Sequence, residues 1–159
     1  PNPDCCRRLK KLQQILNLDN LVILQYAIGE NEEDLILSNS ENSIESQIIN
    51  EDVTNNKEHF KVNQISFDKI IKQYEIKKID YVKVNIEGYE TNFLEGYRYL
   101  QPKVKNFCIG CHDFLSPPKK TFDIVKSWLI KNDYQINFYK NYKKLEIFEK
   151  YYIYGKSKT

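Results

Sequence analysis

Apolar positions along this chain fall into short runs divided by Lys-, Asn- and Glu-rich stretches, and the spacing inside each run separates strands from helices. The clearest run spans residues 79–86. Ile79, Val82, Val84 and Ile86 are β-branched and lie in an eight-residue stretch without Pro or Gly, the pattern of a strand buried in a sheet. Gly88 breaks the run. Residues 89–100 then carry Tyr89, Phe93, Leu94, Tyr97 and Leu100, which a helix gathers on one side. A strand, a sharp turn at Glu87-Gly88 and a helix are expected here.

The same reading gives the remaining elements. Residues 7–16 form an amphipathic helix with Asp4 as N-cap, a buried stripe of Leu9, Leu12, Ile15 and Leu16, and Arg7, Arg8, Lys10 and Lys11 in water. A buried strand starts at residues 21–24 and runs on to Gly29, and a short one follows at 35–38. Residues 39–57 are rich in Ser, Asn and Glu and read as a long loop with a second short strand at 46–49. Residues 62–67 form a strand and 68–73 a short helix that turns Phe67, Ile70 and Ile71 inward. The next buried strand, 104–109, ends at Gly110-Cys111-His112-Asp113-Phe114 and a Ser116-Pro117-Pro118 loop. A helix at 121–129 places Phe122, Val125, Trp128 and Leu129 on one side and stops at Asn132-Asp133. Strands at 136–139 and 147–154 close the chain around a Lys/Asn turn at 140–144. Strands alternating with helices, then a terminal hairpin, indicate an α/β fold.

Composition narrows the function classes. At 159 residues the chain is a single domain, 1–159, long enough to bury a core. A net charge of +2 gives no electrostatic case for nucleic acid or an acidic membrane. No apolar run approaches the ~20 residues of a membrane span. The chain has no Met and opens abruptly at Pro1-Asn2-Pro3, so it reads as a piece of a longer protein. Its oligomeric state is not legible. Four cysteines occur, as Cys5-Cys6 and Cys108-x-x-Cys111; with no sign of an oxidising compartment, reduced thiols in a cytoplasmic protein are the expectation. Cys108-x-x-Cys111-His112 formally matches a haem-attachment pattern. An apolar strand there, with no Met as second ligand and no visible export signal, argues against it. A zinc site fails because adjacent Cys5 and Cys6 do not easily converge on one ion. No metal is expected.

In open α/β sheets, ligands bind outside the carboxyl ends of strands. Asn85 and Glu87 follow one such end, with Glu90 in the first helical turn; His112 and Asp113 follow the next. The stretch Lys83-Val84-Asn85-Ile86-Glu87-Gly88-Tyr89-Glu90 resembles the Lys-x-Asp-x-Glu-Gly-x-Glu signature of the FkbM family of S-adenosylmethionine-dependent methyltransferases, with Asn85 where the family usually has Asp. Other segments are similar too. Pro1-Asn2-Pro3 resembles a Glu-Pro-Asn-Pro stretch, Ala27-Ile28-Gly29 an Ala-x-Gly strand end, and Ser66-Phe67-Asp68 a Thr-Leu-Asp element. Gly110 replaces the Glu of a Glu-x-His segment.

The resemblance implies a Rossmann-like class I methyltransferase sheet with helices on both faces, of which this chain is the C-terminal two-thirds. It implies S-adenosylmethionine as cofactor, with Asn2, Ala27 and Asn85 on the donor side, and a sugar or small natural product carrying the acceptor hydroxyl. Glu87, His112 and Asp113 are the implied catalytic group. His is the side chain best suited to take a proton near neutral pH, so His112 reads as base or acceptor-orienting group with Glu87 in support. The resemblance places a Ser-bearing loop over the active site in this region, which makes Ser43 and Ser46 candidates for substrate contact. The family's strand order is 3-2-1-4-5-7-6. This chain would hold strand 3 at 21–27, strand 4 at 81–86, strand 5 at 104–109 and the closing pair, without the first two. Five glycines occur and none forms Gly-x-Gly, so the glycine-rich donor turn is missing as well. The chain alone is expected to bind the donor poorly, and strand 3 to stay separated from strand 4 by a gap. The alternative is a non-catalytic remnant of the fold acting as a binding or structural module.

Overall fold

The computed structural model describes residues 1–38, 59–113, 120–138 and 152–158. The expectations for 39–57, including Ser43, Ser46 and the strand at 46–49, therefore lie outside the described residues, as do those for 116–118 and 140–144. Four helices are described, α1 (Pro3–Leu16), α2 (Phe67–Gln73), α3 (Glu90–Glu95) and α4 (Thr121–Lys131). The described strands are β1 (Ala27–Ile28), β2 (Asp34–Ser38), β3 (His59–Ile65), β4 (Val82–Val84), β5 (Asn106–Gly110), β6 (Tyr134–Asn137) and β7 (Tyr152–Ser157).

These strands form two separate sheets, one ordered β1-β3-β2 and one β4-β5-β7-β6. β1 runs parallel to β3, and β2 pairs antiparallel to β3. In the larger sheet β4 is parallel to β5, with Val84 opposite Ile109, and β7 is antiparallel to both β5 and β6. Among the described residues β1 and β4 do not pair, although Ile28 of β1 packs against the core of the larger sheet.

The core lies on one face of the larger sheet. Val84, Phe107, Ile109 and Ile153 point into it from the strands, Ile71 from α2, Phe93, Leu94 and Tyr97 from α3's side, and Val125 and Leu129 from α4. An aromatic cluster binds the layers. The ring of Phe107 lies within 5.3–6.3 Å of those of Tyr134, Trp128, Phe93 and Tyr97. Tyr97 is fully buried, and its hydroxyl donates to the Pro102 carbonyl at 2.6 Å and accepts the Val104 N–H at 3.1 Å. A buried Tyr hydroxyl needs such partners, since leaving one unmade costs roughly 1–3 kcal/mol. Of the alternate positions, Lys83, Gln135, Asn137, Tyr154 and Lys156 are exposed, while Cys108 of β5 is buried. Helices on both faces are thus not what the described residues show for this sheet: α3 and α4 share one face.

The N-terminal third corrects three further expectations. α1 starts at Pro3, four residues before the expected position, because Asn2 rather than Asp4 caps it: its Oδ1 accepts the N–H groups of Asp4 and Cys5 at 2.9 and 3.2 Å. Pro at the first helical position suits this start, since it lacks the N–H that would go unsatisfied there. Asn17 ends the helix in the left-handed region, with φ 50°, and the Leu18 N–H reaches back to the Gln13 carbonyl. The expected buried stripe is exposed: Leu9, Leu12, Ile15 and Leu16 retain 46, 48, 64 and 55% of their surface. Local capping signals suffice to define a helix, whereas burial of its stripe needs a layer beneath it. Likewise residues 21–26 do not join a sheet: pairing with β3 begins at Ala27 and Ile28, and the Gly29 N–H extends it to the Ile65 carbonyl at 3.2 Å.

Candidate functional site

The chain between β4 and α3 makes the turn foreseen at Glu87-Gly88, in a conformation unusual for its sequence. Glu87 has φ 53° and Gly88 φ 89°. Gly tolerates that region, whereas a left-handed Glu costs on the order of 1 kcal/mol and persists only where its surroundings hold it. Glu90 does the holding. Its Oε1 accepts the Gly88 N–H at 3.2 Å and the Ile86 N–H at 3.3 Å, and the residue has no solvent exposure.

β5 runs parallel beside β4, so the segment after it emerges next to this turn. His112 is 6% exposed. Its Nδ1 lies 2.5 Å from Oε1 of Glu90 and its Nε2 3.5 Å from Oε1 of Glu87. Burial alone would lower the pKa of this imidazole. The hydrogen bond to Glu90 and the negative charges of Glu90, Glu87 and Asp113 outweigh it and raise the pKa above the ordinary value. A buried imidazole between two carboxylates, outside the carboxyl ends of two parallel strands, can accept a proton and hold it.

The expected catalytic residues are brought together unequally. Glu87 and His112 face each other. Asp113 turns to α4: its carboxylate accepts the Thr121 N–H, the Thr121 hydroxyl at 2.5 Å and the Phe122 N–H at 3.2 Å. α4 has no side-chain cap from Lys120, the residue before it, and Asp113 supplies that cap from eight residues upstream. This gives Asp113 a structural task distinct from the catalytic one expected of it.

The expected donor-side residues sit on three separate elements. Asn2 caps α1, Ala27 is buried in β1 opposite Gln64, and Asn85 follows β4 and accepts the Tyr152 hydroxyl at 2.9 Å. The described contacts do not join them into a cradle. Gly110 makes room for Asn85, since a Cβ there would stand 2.8 Å from its Oδ1 and 3.5 Å from Cε1 of His112. None of the four cysteines, all described, forms a disulfide, and Cys111 is held as a thiol because burial, then the charges of Glu90 and Asp113, push its pKa far up. Among the described residues no three His, Cys, Asp or Glu side chains converge on a metal, and no helix is long and apolar enough to cross a membrane.

Tyr152 and the joint role of Glu90's single oxygen escaped the sequence. An acidic residue in a first helical turn is commonplace, so Glu90's spacing alone does not distinguish a partner for His112 from a simple dipole contact.

A family model described as the methyltransferase FkbM domain matches residues 1–136. The chain belongs to the FkbM methyltransferase family. No curated protein and no solved structure matches it. The FkbM match takes in the turn at Glu87, Glu90 and His112, and stops before β7 with its Tyr152. The methyl donor implied by the family fits the described residues poorly. Asn2 has its amide oxygen committed to α1, the described strands do not join into one sheet, and no Gly-x-Gly turn exists in the sequence.

Proposed function

We propose that this FkbM domain carries the acceptor side of an S-adenosylmethionine-dependent O-methyltransferase, acting on a hydroxyl of a sugar or small natural product in the cytoplasm. The observation that carries the reading is the placement of His112 Nε2 opposite Glu87. A hydroxyl becomes a useful nucleophile as its proton leaves, and a positioned base supplies that step for about 10²- to 10⁴-fold in rate. The acceptor's O–H donates to His112 Nε2, and the imidazolium formed is stabilised by the carboxylates of Glu87 and Glu90. Glu87, 3.5 Å from Nε2, is placed to orient the same hydroxyl, and its side chain keeps 20% exposure while that of Glu90 keeps none.

The second reading, a non-catalytic remnant of the fold acting as a binding module, is favoured by one observation: the described residues do not assemble a donor cradle. Incubating the full gene product with tritiated S-adenosylmethionine and a panel of sugar and small-molecule hydroxyl acceptors separates the two. Label in an acceptor supports the enzyme. No label, together with no donor binding by calorimetry, supports the remnant.

A further inference from the structure

Among the described residues Oε1 of Glu90 has three hydrogen-bonding neighbours, and two of them are fixed donors: the backbone N–H groups of Ile86 and Gly88. A backbone N–H cannot change roles, so this oxygen is an acceptor whatever the state of the ring. The third neighbour is Nδ1 of His112 at 2.5 Å, which must then carry the hydrogen. In a neutral imidazole only one nitrogen does. We propose that Glu90 is a positioning residue that fixes His112 as the Nδ1–H tautomer, leaving the lone pair of Nε2 on the side of Glu87 as the site's proton acceptor.

The geometry supports more than helix capping. A carboxylate placed only to complement α3 has no reason to lie buried with one oxygen between a turn and a ring on the next strand. Here that oxygen ties the left-handed turn carrying Glu87 to the ring of His112. The spacing between Glu87 and Nε2 is therefore set by Glu90. A hydrogen bond made at one ring nitrogen decides what the other can do. The catalytic meaning rests on the proposed reaction, whereas the tautomer does not and can be measured without any substrate.

The chain has two histidines, His59 and His112, so a long-range ¹H–¹⁵N spectrum of the ring nitrogens is readily assigned, with His59→Gln identifying the remaining set. Above its titration midpoint, His112 is expected to show a protonated Nδ1 and an unprotonated Nε2. Glu90→Gln keeps an acceptor oxygen and should preserve that tautomer while moving the midpoint down. Glu90→Leu removes the acceptor and should make Nε2–H the dominant form. A wild-type ring protonated at Nε2 overturns the proposal whether or not the Leu variant folds, and so does a Leu variant whose tautomer is unchanged. An intact Nδ1–H tautomer in a protein that transfers no methyl group would instead count against the enzymatic reading alone.

Discussion

Nε2 of His112 and Oε1 of Glu87 face each other at 3.5 Å across the ends of two parallel strands, where the histidine side chain keeps 8% of its surface. The carboxylate stabilises the imidazolium and so raises the affinity of the ring for a proton. Glu87→Gln keeps the shape and removes the charge. It is expected to move the acidic limb of the pH profile of kcat/KM to lower pH and to reduce kcat, by up to the 10²- to 10⁴-fold range of general-base effects. An unchanged limb would mean that Glu87 does not sense the proton on His112.

The same raised pKa makes stability depend on pH. His112 in the folded protein binds its proton more tightly than an unfolded histidine with the ordinary value of 6.5. Its contribution is therefore fully present below that value and declines as the pH rises through the higher folded one. Urea denaturation across this window should show stability falling with pH, and His112→Gln should flatten the slope. A slope of opposite sign would mean that burial outweighs the carboxylates.

Asp113 is expected to matter for folding more than for turnover. Asp113→Ala removes the remote cap of α4 and should cost about 1 kcal/mol, the usual size of a lost N-cap, read as a lower urea midpoint. Loss of activity without loss of stability would restore Asp113 to the catalytic group.

Much of the larger sheet could be read from the sequence, and the reasons are local. Val84, Phe107 and Ile109, and the stripe of Val125 and Leu129 are buried where their spacing placed them, and Val82 is partly buried beside them. What failed was tertiary. Leu9, Leu12, Ile15 and Leu16 have the spacing of a buried face, and spacing cannot say whether a layer lies beneath it. Residues 21–26 have the composition of a strand, and composition cannot supply a partner. At the site, Glu87 and His112 were legible as residues at adjacent strand ends. The role of Glu90 was not, because it depends on one oxygen reaching three groups from two segments. The cap that Asp113 gives α4 was hidden for a related reason: nothing in the sequence from 113 to 121 announces that its carboxylate turns to that helix.

The exposed stripe of α1 carries its own prediction. Side chains of this kind on a helix surface favour association with other apolar surfaces. Leu12→Lys together with Ile15→Lys should reduce self-association of the 159-residue chain, measured by light scattering, with little change in urea stability. A large loss of stability would show that the stripe is packed in solution.

The central claim is that His112 takes the proton of the acceptor hydroxyl. Single-turnover transfer of a labelled methyl group by the full gene product, wild type against His112→Ala, tests it most directly. With alanine at this position the chemical step is expected to slow by about 10²- to 10⁴-fold, while donor binding is unchanged. A variant that transfers the methyl group at the wild-type rate would contradict it.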